Sequence, residues 1–297
     1  MKTSLSKLFL LAVFFVACNK NENSSLPAIV QSTQNATTSL PQPKHIVIVI
    51  EENHGYEQII GSASAPYINA LARNSYSVLF TKSYAVTHPS QANYLHLFSG
   101  SSQGVTNDAV PINEPFTTAN LAKQLIKAGK SFATFSQGLP YTGYNGKTWG
   151  AYARKHNPVT NWMGNGTNQV PGTTNKPFAA FPSDFNKLPT VSFVIPNLNN
   201  DMHDGSISRA DNWLKVHLDD YIQWAKRNNS LFILTFDEDD DKHNNHIVTI
   251  FCGPMVRSGK DTIEINHHTV LRTIEDMYGL PYAGNAATVK PITNCWK

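Results

Sequence analysis

Three runs of acids, amides and histidines each follow an apolar run closely. Glu51-Glu52-Asn53-His54 follows HIVIVI (45–50), and Asp237-Glu238-Asp239-Asp240-Asp241 follows LFILTF (231–236). After TVSFVI (190–195) and Pro196 comes Asn199-Asn200-Asp201-Met202-His203-Asp204. Carboxylate and amide oxygens of this kind make a hard-donor site for a divalent cation. Such a cation neutralises a phosphate and lowers the pKa of a nearby hydroxyl. A hydroxyl is at hand in THPSQANYLHLFSG (87–100), where Pro89-Ser90 precedes a helical pattern carrying Leu95 and Phe98. Ser90 therefore falls at or near a helix N-terminus, where free N–H groups favour anions. Serine is also a preferred N-cap at that place, and both roles stay open.

The elements that must position these residues alternate along the chain. The β-branched runs named above, with SFATFS (131–136) and HIVTIF (246–251), read as strands covered on both faces. Helical patterns separate several of them: 65–75, 117–129 with Gly129 as a C-cap, Asp211–Asn228, and 268–279. Alternation of this type implies an α/β fold, a mostly parallel sheet with helices on both faces. Ligands bind such sheets beyond the carboxyl ends of the strands, so the three polar runs are expected to share one rim. Residues 138–176, rich in Gly, Asn, Tyr and Trp, lack periodicity and are expected to overhang that rim.

The segments IEENHGYEQIIG, THPSQANYLHLFSGSSQG, NDMHDGS, FDEDDD and HTVLRTIEDMYGLP resemble the bacterial phosphoesterase family across residues 45–295. That family includes exported acid phosphatases and phosphatidylcholine-cleaving phospholipases C, and is related to the alkaline phosphatase superfamily. The resemblance implies an alkaline phosphatase-like sandwich. It implies Ser90 as nucleophile within Ser90-Gln91-Ala92-Asn93, where Ala92 replaces the proline common in the family. It implies Glu52, Asn53, Asp237 and Glu238 as metal ligands, and His203 as a group that positions phosphate or protonates the leaving oxygen. Asn93, His156 and His267 are its substrate-binding candidates. His203 could instead cap a loop, His267 could belong to the core, and Asp239, Asp240 and Asp241 read as a solvated acidic turn. One divalent ion is expected: the oxygen donors favour Mg, Mn or Ca, and the histidines keep Zn open. The expected activity is hydrolysis of a phosphate monoester, phosphoinositide monophosphates among them, through a phosphoserine. The alternatives are a phospholipase C-type phosphodiesterase and a surface lipoprotein that binds without chemistry. Phospholipase members are often longer, which favours the phosphatase.

The 297 residues suit one large α/β domain. Net charge is +3, and about +1 once Lys2 and Lys7 are removed with a leader, which argues against a nucleic-acid partner. MKTSLSKLFLLAVFFVAC has a Lys-bearing start and an apolar run from Leu8 to Ala17, too short to span a bilayer. It reads as a signal peptide (1–17) ending at a lipobox-like Val16-Ala17-Cys18, so Cys18 is the expected lipidation site of an exported, membrane-anchored protein. Residues 18–43 read as a flexible tether, and 44–297 as the phosphoesterase domain. Of the remaining cysteines, Cys252 falls in a buried strand and Cys295 near the C-terminus. Export permits a disulfide between them, though buried free thiols are commoner.

Overall fold

The computed structural model describes residues 40–297. The expected signal peptide, Cys18 and all of the tether except residues 40–43 lie outside the described residues. Among the described residues ten strands and six helices follow one another. The strands are β1 (His45–Glu51), β2 (Ser77–Tyr84), β3 (Phe132–Ser136), β4 (Thr148–Trp149), β5 (Tyr152–Ala153), β6 (Asn175–Pro177), β7 (Val191–Ile195), β8 (Ser230–Phe236), β9 (His246–Cys252) and β10 (Gly259–Asn266). The helices are α1 (Tyr56–Ile59), α2 (Pro66–Ala72), α3 (Ser90–Ser99), α4 (Leu121–Lys127), α5 (Ile207–Ala225) and α6 (His267–Tyr278).

Eight strands form one sheet in the order β10-β2-β9-β8-β1-β7-β3-β6. All run parallel except β9, which is antiparallel to both neighbours. The loop from Phe236 to His246 is too short for a parallel crossover, so β9 must reverse. The fold is the α/β arrangement the sequence implied. In β1, Ile46, Ile48 and Ile50 pack on one face with α3, α4 and α6. Val47 and Val49 pack on the other with α2 and α5. Period-two alternation with both faces apolar requires helices on both sides. α5 begins four residues earlier than its periodicity suggests, because Ser206 caps it by accepting the Arg209 N–H. Gly129 (φ 70°) follows the C-cap Ala128 of α4.

Two of the long strands escape the sequence pattern. The second half of β2 carries Thr81, Lys82 and Ser83 before Tyr84, with a register shift between Phe80 and Ser83. β10 is an edge strand with Lys260, Asp261 and Glu264, side chains that suit an exposed edge. Residues 138–176 are more buried than expected. Trp162 and Val159 join the core, and the Trp162 ring packs on Phe98 and Phe116. Short 3-10 turns and the β4–β5 hairpin replace periodicity there. Cys252 and Cys295 are buried free thiols. Among the described residues no helix is long and apolar enough to cross a membrane.

Candidate active site

Because β1 lies between β7 and β8, their carboxyl ends are adjacent. The Asp237 N–H donates to Glu51 O (2.9 Å), and the Glu52 N–H donates to Asp201 O (2.8 Å). Residues far apart in the chain are thereby brought side by side. The three polar runs do share one rim. β1 alternation sends Glu51 and Glu52 to opposite faces, and Glu52 is the one beside Ser90.

α3 delivers Ser90. Pro89 is its N-cap and offers no side-chain bond, so the Ser90 hydroxyl does not cap the helix. Ser90 Oγ lies 3.1 Å from Glu52 Oε2 and 3.0 Å from Glu238 Oε1. One hydroxyl has one proton and can donate to only one of these carboxylates. Gly100 ends α3 in the left-handed region (φ 69°), and a Cβ there would overlap the Ala283 carbonyl oxygen, so only glycine fits at this C-cap.

Each expected residue has a definite place. The Asn53 N–H donates to Asp237 Oδ1 (3.1 Å), as does that of Glu238 (2.6 Å). Asn53 has φ 54°, a conformation asparagine tolerates. Asn93 accepts from Val86 and Thr87 N–H and donates to Thr87 O and Glu238 Oε2. Its amide is thus fully used in holding the turn and Glu238. His156 is buried and stacked on Tyr94, with Nε2 3.3 Å from Glu52 and Nδ1 3.3 Å from Asp201. His203 sits beside it; Nδ1 faces Asp204 Oδ1 (2.8 Å) and Nε2 faces Lys155 Nζ (3.0 Å). An ammonium only donates, so Nε2 accepts and the ring proton sits on Nδ1. His267, buried at the start of α6, reaches Asp237 O through Nε2 (2.7 Å) and so holds the backbone of the acidic turn.

Burial raises the carboxyl pKa of Asp237 and Asp201 to about 7 and, with Asp237 adding to it, that of Glu238 to about 8. Glu52 is pushed well up by burial, then by Asp237 and Asp201. Burial pushes His156 well down, followed by Lys155 and His203. Acids crowded this way call for a cation. Asp237 Oδ2, Asp201 Oδ2 and His156 Nε2 are buried without hydrogen-bond partners. Glu52, His156 and His203 can each present one ligand atom within 4.8 Å of the others. Orphaned donors of this kind, around a hydroxyl that cannot satisfy both carboxylates, fit a divalent metal.

Several site residues were not singled out from the sequence. Tyr94 stands one turn after Ser90 and donates to Glu52 Oε1; the i, i+4 spacing was the available signal. His88 lies 3.1 Å from both Glu238 Oε2 and Asp239 Oδ1, within the quoted serine motif. Asp201 was in view only as part of its run. Lys155 donates to Asp108 Oδ2 (2.8 Å), and Asp108 Oδ1 accepts the Gln91 N–H (3.1 Å); nothing local marks Asp108. Asp239 corrects the solvated-turn reading. It is buried and accepts the N–H groups of Asp241, His243 and Asn245, while Asp241 is exposed.

The sequence model of the Phosphoesterase family matches residues 62–281. A phosphatidylinositol-3-phosphatase of Mycobacterium tuberculosis is 47% identical over 263 residues, covering 88% of this chain and 85% of that protein. An acid phosphatase of Aspergillus niger is 30% identical over 247 residues, covering 75% of this chain; the chain spans 56% of that longer protein. In fold, a protein of the alkaline phosphatase superfamily from Vibrio parahaemolyticus superposes with a TM-score of 0.59 at 14% identity, covering 86% of this chain and 71% of that one.

Proposed function

The chain belongs to the phosphoesterase family and is a hydrolase of phosphate esters, and from that premise we propose that it is a metal-dependent phosphomonoesterase with Ser90 as nucleophile. The observation that carries this reading is Ser90 Oγ at the start of α3, within 3.1 Å of Glu52 and 3.0 Å of Glu238. Glu52, Asn53, Asp237 and Glu238 would hold one divalent cation, with His156 and His203 beside them. When bound, the cation supplies charge neutralisation and a lowered pKa for the serine hydroxyl. An all-oxygen set suits Mg, Mn or Ca, while the two histidines suit Zn.

Ser90 Oγ attacks phosphorus as its proton passes to a neighbouring carboxylate, the P–O bond to the leaving group breaks, and the leaving oxygen takes up a proton from that carboxylate or from water to depart as the alcohol. A phosphoserine results, which water cleaves to regenerate the hydroxyl and release inorganic phosphate. Lys155, anchored by Asp108, offers positive charge to the phosphoryl oxygens. Asn93 fixes Glu238 and the serine turn; Tyr94 fixes Glu52. Phosphoinositide monophosphates are the substrates we favour, supported by the name of the 47% identical relative. In this reading the mature protein is exported and anchored to a membrane through Cys18, which rests on residues 1–18 of the sequence alone. Purified protein should release inorganic phosphate from p-nitrophenyl phosphate in a chelator-sensitive way. Release of choline phosphate from phosphatidylcholine instead would make it a phospholipase C, and no turnover of either would leave a binding protein.

A further inference from the structure

A cavity of about 250 Å³ opens beside the nucleophile, between the loop carrying Asp108 and Val110 and the β4–β5 hairpin. Its lining includes Gln91, the sequence neighbour of Ser90, and Lys155, which faces His203. Lys147 and Thr148, both exposed, line it as well. Three cations line it, Lys147, Arg154 and Lys155, against one carboxylate, Asp108.

Two of the three cations are already engaged. The buried Arg154 guanidinium is held by Glu114, Asn145 and Asn161. Lys155 pairs with Asp108 at 2.8 Å and faces His203. Lys147 is exposed, and among the described residues it forms no ion pair. Its backbone is nonetheless fixed, since Lys147 O accepts the Arg154 N–H at 3.0 Å and the next residue, Thr148, pairs with Ala153 in the hairpin. A free ammonium is therefore presented from a pinned backbone into a cavity that also takes in Gln91, the sequence neighbour of Ser90, and Lys155, which faces His203.

We propose that this cavity receives the alcohol portion of the substrate, and that Lys147 selects alcohols bearing a second anionic group, a phosphodiester or a further phosphate. The inference rests on the phosphomonoesterase reading and refines its substrate class. Lys155 then serves the scissile phosphate and Lys147 the second anion, with Val110 and Leu198 as apolar walls between them. Either a lipid headgroup or a free polyol phosphate carries this chemistry.

The test compares kcat/KM for p-nitrophenyl phosphate, a soluble short-chain phosphatidylinositol 3-phosphate and inositol 1,3-bisphosphate in the full chain and in Lys147→Ala, Lys147→Glu and Lys147→Arg. The ratio of each doubly anionic substrate to p-nitrophenyl phosphate should fall at least about threefold in Lys147→Ala. It should fall further in Lys147→Glu, hold in Lys147→Arg, and show a smaller loss at high ionic strength. A fall confined to the lipid assigns the subsite to a headgroup phosphodiester; one confined to the bisphosphate assigns it to a free polyol phosphate. Ratios unmoved in all three variants, with p-nitrophenyl phosphate still hydrolysed by the parent chain, overturn the subsite alone. A parent chain that hydrolyses none of the three overturns the phosphomonoesterase reading and this one with it.

Discussion

The Ser90 hydroxyl is committed to carboxylates, and that decides what its loss should do. Because Pro89, not Ser90, is the N-cap of α3, Ser90→Ala removes no helix cap and should fold with an unchanged circular dichroism spectrum. Turnover of p-nitrophenyl phosphate should fall by about three orders of magnitude or more, the scale seen when a covalent nucleophile is deleted. Near-normal turnover in the folded variant would remove Ser90 from the mechanism. Asp237 gives a prediction of two signs. Its carboxylate is buried against Glu52 and Glu238 with Oδ2 unpartnered, so without metal it is a source of repulsion. Asp237→Asn should melt at a higher temperature than the parent in chelator near neutral pH, where the parent carries the uncompensated charge. It should gain less from added divalent cation, because stabilisation by a ligand follows its affinity for the folded state. Equal gains in both proteins would place the metal elsewhere.

At the scale of elements, the legible parts were those whose burial is uniform. β1, β7 and β8 are apolar on both faces, and each runs directly, or after one proline, into a polar loop, so strand and site signals reinforced one another. β2 and β10 were invisible because a polar half and an exposed edge erase the apolar run. Asp108 and Lys155 were illegible for a different reason: their roles depend on one long-range bond between loops, which leaves no periodic trace. α6 carries the next prediction. Glu275 is buried, accepts the Ala283 N–H at 2.8 Å and leaves Oε2 unpartnered. Burial raises its pKa from an ordinary 4.5 to about 8. The folded chain then holds a proton that the unfolded chain has lost, so stability declines as pH rises from about 4.5 and levels off only above about 8. Glu275→Gln keeps the acceptor and removes the titration. Its melting-temperature advantage over the parent should be larger near pH 8 than near pH 5. The same advantage at both values would mean that folding does not raise the Glu275 pKa.

For the whole molecule, the direction in which the chain enters the sheet matters most. Leu40 packs on the core, Gln42 Nε2 donates to Met277 O, and Pro43 O accepts the Tyr278 hydroxyl. Lys44 N–H donates to Asn229 O just before β8 begins. The segment expected as tether thus ends docked at the amino ends of the strands, while Ser90 and the acids gather at the carboxyl ends. An anchor at Cys18 would pull on the end of the domain remote from the chemistry. Residues 19–39 could reach at most about 70 Å when fully extended, ample for the site to approach a lipid in the same membrane or a solute beside it. Cys18→Ser should therefore separate anchoring from catalysis. The leader would still direct export, the protein would appear in the soluble fraction, and kcat/KM for p-nitrophenyl phosphate would match the parent, because the site residues lie at the carboxyl ends of the strands, away from the end where the chain enters. Persistent membrane association of the processed variant would exclude the lipid anchor, since a single acyl modification is the attachment that this substitution removes.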